Sequence, residues 1–304
     1  EQLDNSKGLS NSSVNAIFQD SENLLWIGTW DGLNRYDGNN FKIFRPELDN
    51  ENSLSNQVIL KIDQDNTGKI WLLTIHGINQ YDKKTDTFRR FYFTRKNKPP
   101  LSESEFNMAL DTHKNVFCAV KDWGIGYFDG KDFQLIKIKN FSKKAVKKME
   151  FTSNGELLVL FETNELFALT IENSKKGSKK ISKVRLVSNE IKTFEIMPKG
   201  KICIVNNFGN AQILSLSENR AKPITKKSVV NIIGKIPDGL VLYNKSGYSI
   251  IDANGNEVFK PWLKNLKNQY PTTLIQGSEN IIWTGTDGDG VFKMYPLKKS
   301  FNLI

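Results

Sequence analysis

Apolar and polar residues alternate in short runs along nearly the whole chain, and Gly, Asn and Asp bound the runs. A period of two with turn residues at its boundaries predicts short strands and hairpins rather than helices. In residues 13–44, SVNAIFQDSENLLWIGTWDGLNRYDGNNFKIF, four such runs predict strands near 14–18, 24–29, 33–36 and 41–44. Residues 57–91, QVILKIDQDNTGKIWLLTIHGINQYDKKTDTFRRF, repeat the design. Aligned on Trp26 and Trp71, both carry an Asp six residues earlier (Asp20, Asp65), a turn, the Trp strand, then a Tyr-Asp pair at 36–37 and 81–82. A third copy runs from Asp111 through Phe117 to Gly130, and the strong form returns in NIIWTGTDGDGVFKMY at 280–295. Degenerate copies occupy 153–169, 198–214 and 237–251.

Taking Trp26, Trp71, Phe117, Leu158, Cys203, Val241 and Trp283 as equivalent gives spacings of 45, 46, 41, 45, 38 and 42 residues. Four strands per repeat of roughly 40–45 residues is the signature of a propeller blade. The expected fold is all-β, a single seven-bladed β-propeller of four-stranded antiparallel blades. It fills 1–304 as one domain, with blades near 13–52, 57–98, 105–140, 146–187, 191–225, 229–262 and 272–304. Residues 1–4 or residues 301–304 could supply the outer strand of the last blade. The second choice is preferred, because that segment follows its own third strand at the spacing of the first blade.

The motif residues have structural roles. Asp20 and Asp65 stand where a carboxylate accepts turn N–H groups, and Gly68, Gly155 and Gly200 supply the positive φ of such turns. Trp26, Trp71 and Trp283 are expected to fill the space between blades, and Gly28 and Gly285 to allow close strand approach.

Composition then narrows the chemistry. No stretch approaches the roughly 18 consecutive apolar residues of a membrane helix, and the first twenty residues lack a signal pattern. A soluble segment without membrane contact is expected, any export signal having been removed. Cys118 and Cys203 lie in apolar runs and read as buried free thiols. His76 and His113 are the only histidines, too few for the usual zinc site or His-dependent hydrolase. The net charge of +10 rests on 36 Lys and 7 Arg, a ratio that disfavours nucleic-acid reading. A solvated lysine-rich surface explains it, and an anionic ligand is the alternative. Asp287-Gly288-Asp289-Gly290 and 63–68 resemble the start of a calcium loop but lack the downstream Glu, so they read as turns. No metal, cofactor or catalytic motif is found, and the segment is expected not to be an enzyme.

The motif residues resemble a known family, the two-component-regulator propeller repeat. LLWIGTWDGLNRYDG (24–38) is a near-complete match, IWLLTIHGINQYD (70–82) and IIWTGTDGDGVFKMY (281–295) are good ones, and Gly8-Leu9-Ser10-Asn11 and Ser53-Leu54-Ser55-Asn56 repeat the linker. The resemblance implies the first propeller of a periplasmic sensor in a hybrid two-component system. A second propeller, a β-sandwich, a membrane span and a histidine kinase would lie outside these residues. It further implies polysaccharide fragments as ligands and transcription as output, through the remaining sensor domains and a possible homodimer.

Propeller topology puts the second-to-third-strand tips and the inter-blade connections on one face, the default binding face. Tips there carry Trp30, Asp31, His76, Asp122, Trp123, Asp287 and Asp289, rings and carboxylates that suit sugar recognition. Lys143, Lys144, Lys226 and Lys227 fall in inter-blade connections and would attract an anionic oligosaccharide. Lys175, Lys176, Lys179 and Lys180 fall on the opposite side and read as a solvated loop. Two rivals stand beside the sensor reading: a structural or dimerising propeller, and a propeller hydrolase or lyase.

Overall fold

The computed structural model describes residues 1–93, 105–136, 138, 141, 144–174, 178–197, 200–216, 220–224, 228–266 and 269–295. Five separate four-stranded antiparallel sheets follow one another along the chain. They are β2 (Val14–Gln19), β3 (Leu25–Thr29), β4 (Gly32–Tyr36), β5 (Phe41–Phe44); β6 (Ile59–Gln64), β7 (Ile70–Thr74), β8 (Gly77–Asp82), β9 (Thr87–Phe91); β10 (Phe106–Leu110), β11 (Val116–Val120), β12 (Gly124–Phe128), β13 (Phe133–Ile136); β14 (Val146–Phe151), β15 (Glu156–Phe161), β16 (Leu166–Asn173), β17 (Lys179–Ser188); and β18 (Ile191–Ile196), β19 (Ile202–Asn206), β20 (Ala211–Ser215), β21 (Arg220–Pro223). The rest form one eight-stranded sheet: β1 (Gln2–Leu3), β22 (Val229–Ile236), β23 (Gly239–Asn244), β24 (Gly247–Ile251), β25 (Glu257–Val258), β26 (Pro271–Gln276), β27 (Ile282–Thr286) and β28 (Val291–Met294). The seven aligned positions fall one to a strand, in β3, β7, β11, β15, β19, β23 and β27.

The eight-stranded sheet is two antiparallel groups of four joined where β22 runs parallel to β26, Gly234 opposite Leu274 and Lys235 opposite Ile275. Gly234 permits the joint, since a Cβ there would lie 2.0 Å from the Leu274 carbonyl oxygen. The outer strand of the last group comes from the N-terminus, which corrects the preference for residues 301–304. Gln2 pairs with Phe292 and Leu3 with Val291, the N-terminal ammonium donates to the Lys293 carbonyl at 3.1 Å, and Leu3 is buried. One turn and one linker then carry the chain into β2, so the first and last groups are tied by the same few residues. Residues 301–304 lie outside the described residues.

The core sits between sheets. Trp26 packs with Leu54, Ile59, Ile70 and Tyr81 of the second group, Trp71 with Phe106, Met108 and Phe133 of the third, and Trp283 with Leu9, Val14 and Tyr36 of the first. Close approach depends on the two expected glycines: a Cβ at Gly28 would come within 2.7 Å of Ile59, and one at Gly285 within 2.6 Å of Val14. The first strands of all the groups line one central channel of about 850 Å³.

Candidate functional site

The loops are held by a polar network that the motif encodes twice. The Ser10 amide donates to Asn34 Oδ1 at 2.9 Å, Asn34 Nδ2 to Ser10 Oγ at 2.8 Å, and Ser10 Oγ meets Thr29 Oγ1 at 2.9 Å. Thr29 Oγ1 donates to the Gly32 carbonyl, closing the tip of β3 and β4. Ser55, Asn79, Thr74 and Gly77 repeat every bond in the second unit. At the opposite end, Asp20 Oδ1 accepts from the Glu22 and Leu24 amides, as expected of a turn former. Its Oδ2 takes the Trp26 indole N–H at 2.9 Å, and Asp65 does the same for Trp71 at 2.7 Å. The Asp therefore fixes both the turn and the inter-sheet Trp, a link not read from the sequence. Gly277 occupies the matching place before Trp283, and the Trp283 indole nitrogen has no partner among the described residues.

The expected site residues fall into two groups. Trp30, Asp31 and Asp287 come together around the linker into β2. The Trp30 amide donates to the Ser13 carbonyl at 3.2 Å, and Ser13 bridges to Asp287. The Trp30 ring is 53% exposed, and Asp31 pairs with Arg45 at 2.8 Å. Arg45, at the start of the connection between β5 and β6, was missed because nothing in its local sequence marks it. Asp289 is exposed on the same turn as Asp287, with its carbonyl accepting from Gln2 Nε2. The turn is tied to Ser12, whose carbonyl accepts from the Gly288 and Gly290 amides.

The others are engaged locally. His76 Nδ1 stands 3.3 Å from the Asn56 amide nitrogen. Asp122 takes a left-handed φ of 65° at its tip. Trp123 folds back over Gly126, where a Cβ would lie 2.5 Å from its ring, and packs against Phe93. The Lys144 ammonium pairs with Glu165 and sits 5.4 Å from the rings of Phe161 and Phe167. That bond and one from Thr163 hold the Glu165 carboxyl below its ordinary range. Lys143, Lys226 and Lys227 lie outside the described residues, as do Lys175 and Lys176. Lys179 stacks over Phe117 and Tyr127, and Lys180 pairs with Glu172.

A second constellation lies in the channel. Lys148 on β14 pairs with Glu195 on β18 and donates to the Phe194 carbonyl at 2.8 Å. Lys235 on β22 reaches Glu150 at 3.4 Å and Glu195 at 3.9 Å. Lys61 on β6 donates to the Met108 carbonyl at 2.9 Å. These side chains keep part of their surface toward the channel, Lys235 the most at 45%. Burial lowers the Lys61 pKa below the usual lysine range. Burial, with the Glu195 charge, raises that of Glu150. Burial opposes the charge of Glu195 too, but Lys148 and Lys235 outweigh it and hold that carboxyl below its usual range. In sequence these residues occupy the polar half of an alternating strand and look like an ordinary solvent face.

Residues 8–31 match the family described as the two component regulator propeller. Over 38 residues the chain is 60% identical to a protein named histidine kinase P4 from Formosa agariphila, a match covering 12% of this chain and 3% of that protein. Its fold is similar to the extracellular domain assigned to the hybrid two-component system BT4673 of B. thetaiotaomicron, with a TM-score of 0.76 and 16% identity. That likeness covers 98% of this chain and 43% of the other. It is also similar to virginiamycin B lyase from Staphylococcus aureus, with a TM-score of 0.65 and 13% identity over 96% of this chain and 97% of the lyase. The chain is thus a β-propeller in which residues 8–31 match the two component regulator propeller.

Proposed function

We propose that this propeller is a non-catalytic, periplasmic part of a hybrid two-component sensor and that it binds fragments of polysaccharide on the face of the Trp30 tip. The observation that carries the reading is the half-exposed Trp30 ring beside the Asp31–Arg45 pair and the Asp287 turn. A flat indole offers a stacking surface for a sugar ring, and the flanking charged groups offer hydroxyl partners. Phe208 and Tyr270, 73% and 74% exposed, add rings on the same face.

The matched repeat and the named kinase support a role upstream of a kinase, and the extracellular neighbour supports placement outside the cytoplasm. No helix among the described residues is long and apolar enough to cross a membrane. The lyase-like fold keeps an enzyme among the alternatives. Against it, His76 sits at the tip between β7 and β8 while His113 sits in the turn between β10 and β11, at opposite ends of the ring. A titration of the chain with neutral and acidic oligosaccharides tests the proposal: saturable binding lost in Trp30→Ala supports it, and binding unaffected by that change refutes it.

One observation favours a protein-interaction role instead. Phe259, 73% exposed, borders a cleft of about 520 Å³ shared with Tyr248, Val258 and Leu263 on the flank of the β22–β25 group. Concentration-dependent dimerisation abolished by Phe259→Ser, with no sugar binding, would move the function to that flank.

A further inference from the structure

The first and second groups are built alike where each meets its successor. Trp26, Arg35 and Lys42 stand in register across β3, β4 and β5, as Trp71, Gln80 and Arg89 do across β7, β8 and β9. Lys42 lies over Phe44, which stacks on Trp26; Arg89 lies over Phe91, which stacks on Trp71. Tyr81 of the second group packs against Trp26 and Phe44, and Phe128 of the third packs in the same way against Trp71 and Phe91.

The two joints differ by one carboxylate. At the first, Asp86 reaches Lys42 with its oxygens at 2.6 and 2.7 Å, and the Tyr81 hydroxyl donates to it at 2.6 Å. These bonds, Lys42 first, hold the Asp86 carboxyl below its usual range. Six residues separate the paired Tyr81 and Phe88 in that hairpin, against four between Phe128 and Phe133. The shorter turn brings no acid to Arg89. Asp129 accepts from its own turn and from Gln134 instead, and Phe128 has no hydroxyl.

Arg89 is exposed, with the Phe91 ring 4.7 Å beneath its guanidinium and no acceptor among the described residues. Directly across the strand pair, Gln80 is 7% exposed, and its amide has no hydrogen-bond partner among the described residues. A buried amide left without a partner is rare. Register puts these two side chains on one face, their Cβ atoms about 5 Å apart, within reach of one small ligand. Both line a cleft of about 670 Å³ along β9, which Gly130 borders from the third group. A Cβ on Gly130 would meet nothing within 4 Å, so that turn leaves the cleft open. The other cations on its wall are engaged, Lys69 with Asp82 at 3.4 Å and Arg90 with the Ser53 and Asn50 carbonyls.

We infer that this cleft binds a uronic acid, whose carboxylate takes at Arg89 the place that Asp86 takes at Lys42. The guanidinium offers a planar fork to a carboxylate, and stacking on Phe91 fixes its plane before the ligand arrives, which lowers the cost of ordering it. Gln80 carries both a donor and an acceptor, which suits sugar hydroxyls beside the acid. The cleft lies on the outer strand of its group, apart from the Trp30 tip between β3 and β4.

The test is calorimetric titration of the whole chain with glucuronate, galacturonate and neutral glucose at low ionic strength. One or both uronates should bind and glucose should not. Arg89→Gln should weaken uronate binding about tenfold or more without lowering the Tm, since the side chain is exposed. Gln80→Ala is the second variant and should weaken binding several-fold. Lys183→Gln removes one positive charge from the outer strand β17 of another group and should leave binding unchanged. Failure of both uronates to bind, full affinity in Arg89→Gln, or equal weakening by Lys183→Gln would overturn the inference. Trp30→Ala should leave this binding intact, so a failure here and a failure of the Trp30 face are told apart.

Discussion

Replacing Asp20 by Ala tests the account of how the repeat holds its sheets together. The Asp20 side chain has no exposed surface, and its ion-pair partner Lys83 is only 14% exposed. One carboxylate satisfies two turn amides, the Trp26 indole at 2.9 Å and the Lys83 ammonium at 3.0 Å. Truncation leaves the buried indole N–H without an acceptor, which costs about 1–3 kcal/mol. It also strips one counter-charge from Lys83, which keeps only the exposed Glu22. The expected total is about 3–5 kcal/mol, the range for breaking one side of a buried pair. Asp65→Ala, which frees the Trp71 indole but no lysine, should cost less. Asp252→Ala, a near-surface turn former that accepts only from Asn254 and Asn256, should cost about 1 kcal/mol or less. Urea denaturation at pH 7, with midpoints compared at constant m, reads all three. A loss for Asp20→Ala no greater than that for Asp252→Ala would show that the buried carboxylate does not hold the sheets together.

Three further outcomes follow from the structure. Leu3→Ala should cost about 2–4 kcal/mol and lower the Tm, because β1 closes the ring through that buried side chain; an unchanged melt would contradict N-terminal closure. The Glu165 carboxyl is held below its ordinary value of 4.5, so its bond to Lys144 stabilises the fold above that pH and the gain is lost as the pH falls through the folded value. Glu165→Gln should therefore flatten the acid limb of a stability–pH curve below about pH 4.5, and an unchanged limb would contradict this. Burial pushes the Cys203 thiol up to about 12 and raises that of Cys118 as well; neither should react with a disulfide reagent at pH 8 until the chain is unfolded.

Much of the fold was legible because its determinants are local. The alternation in residues 13–44 places β2 to β5 within a residue or two, and Asp20, Gly28 and Gly68 hold the turn and close-approach roles their chemistry suggests. Closure was misread because both termini offer a short apolar segment, and only β28 pairing with residues 2–3 decides between them. The site was less legible. Trp30 could be placed on an exposed tip, but Trp123, of the same type at a similar tip, lies back on its own hairpin because Gly126 leaves it room. Lys144 looked free in sequence, whereas Glu165 and two Phe rings reach it only after β15 and β16 fold. The channel cluster was invisible, since Lys61, Lys148, Glu150, Glu195 and Lys235 meet only when strands far apart in sequence close the ring.

The measurement that bears most directly on the saccharide reading is 19F NMR of the chain labelled with 5-fluorotryptophan. Six resonances are expected, one for each Trp in the sequence, and Trp30→Phe assigns the exposed one. A recognised oligosaccharide should move the Trp30 resonance while those of the buried Trp26 and Trp71 stay in place. Saturable binding that leaves the Trp30 resonance unmoved would contradict that reading.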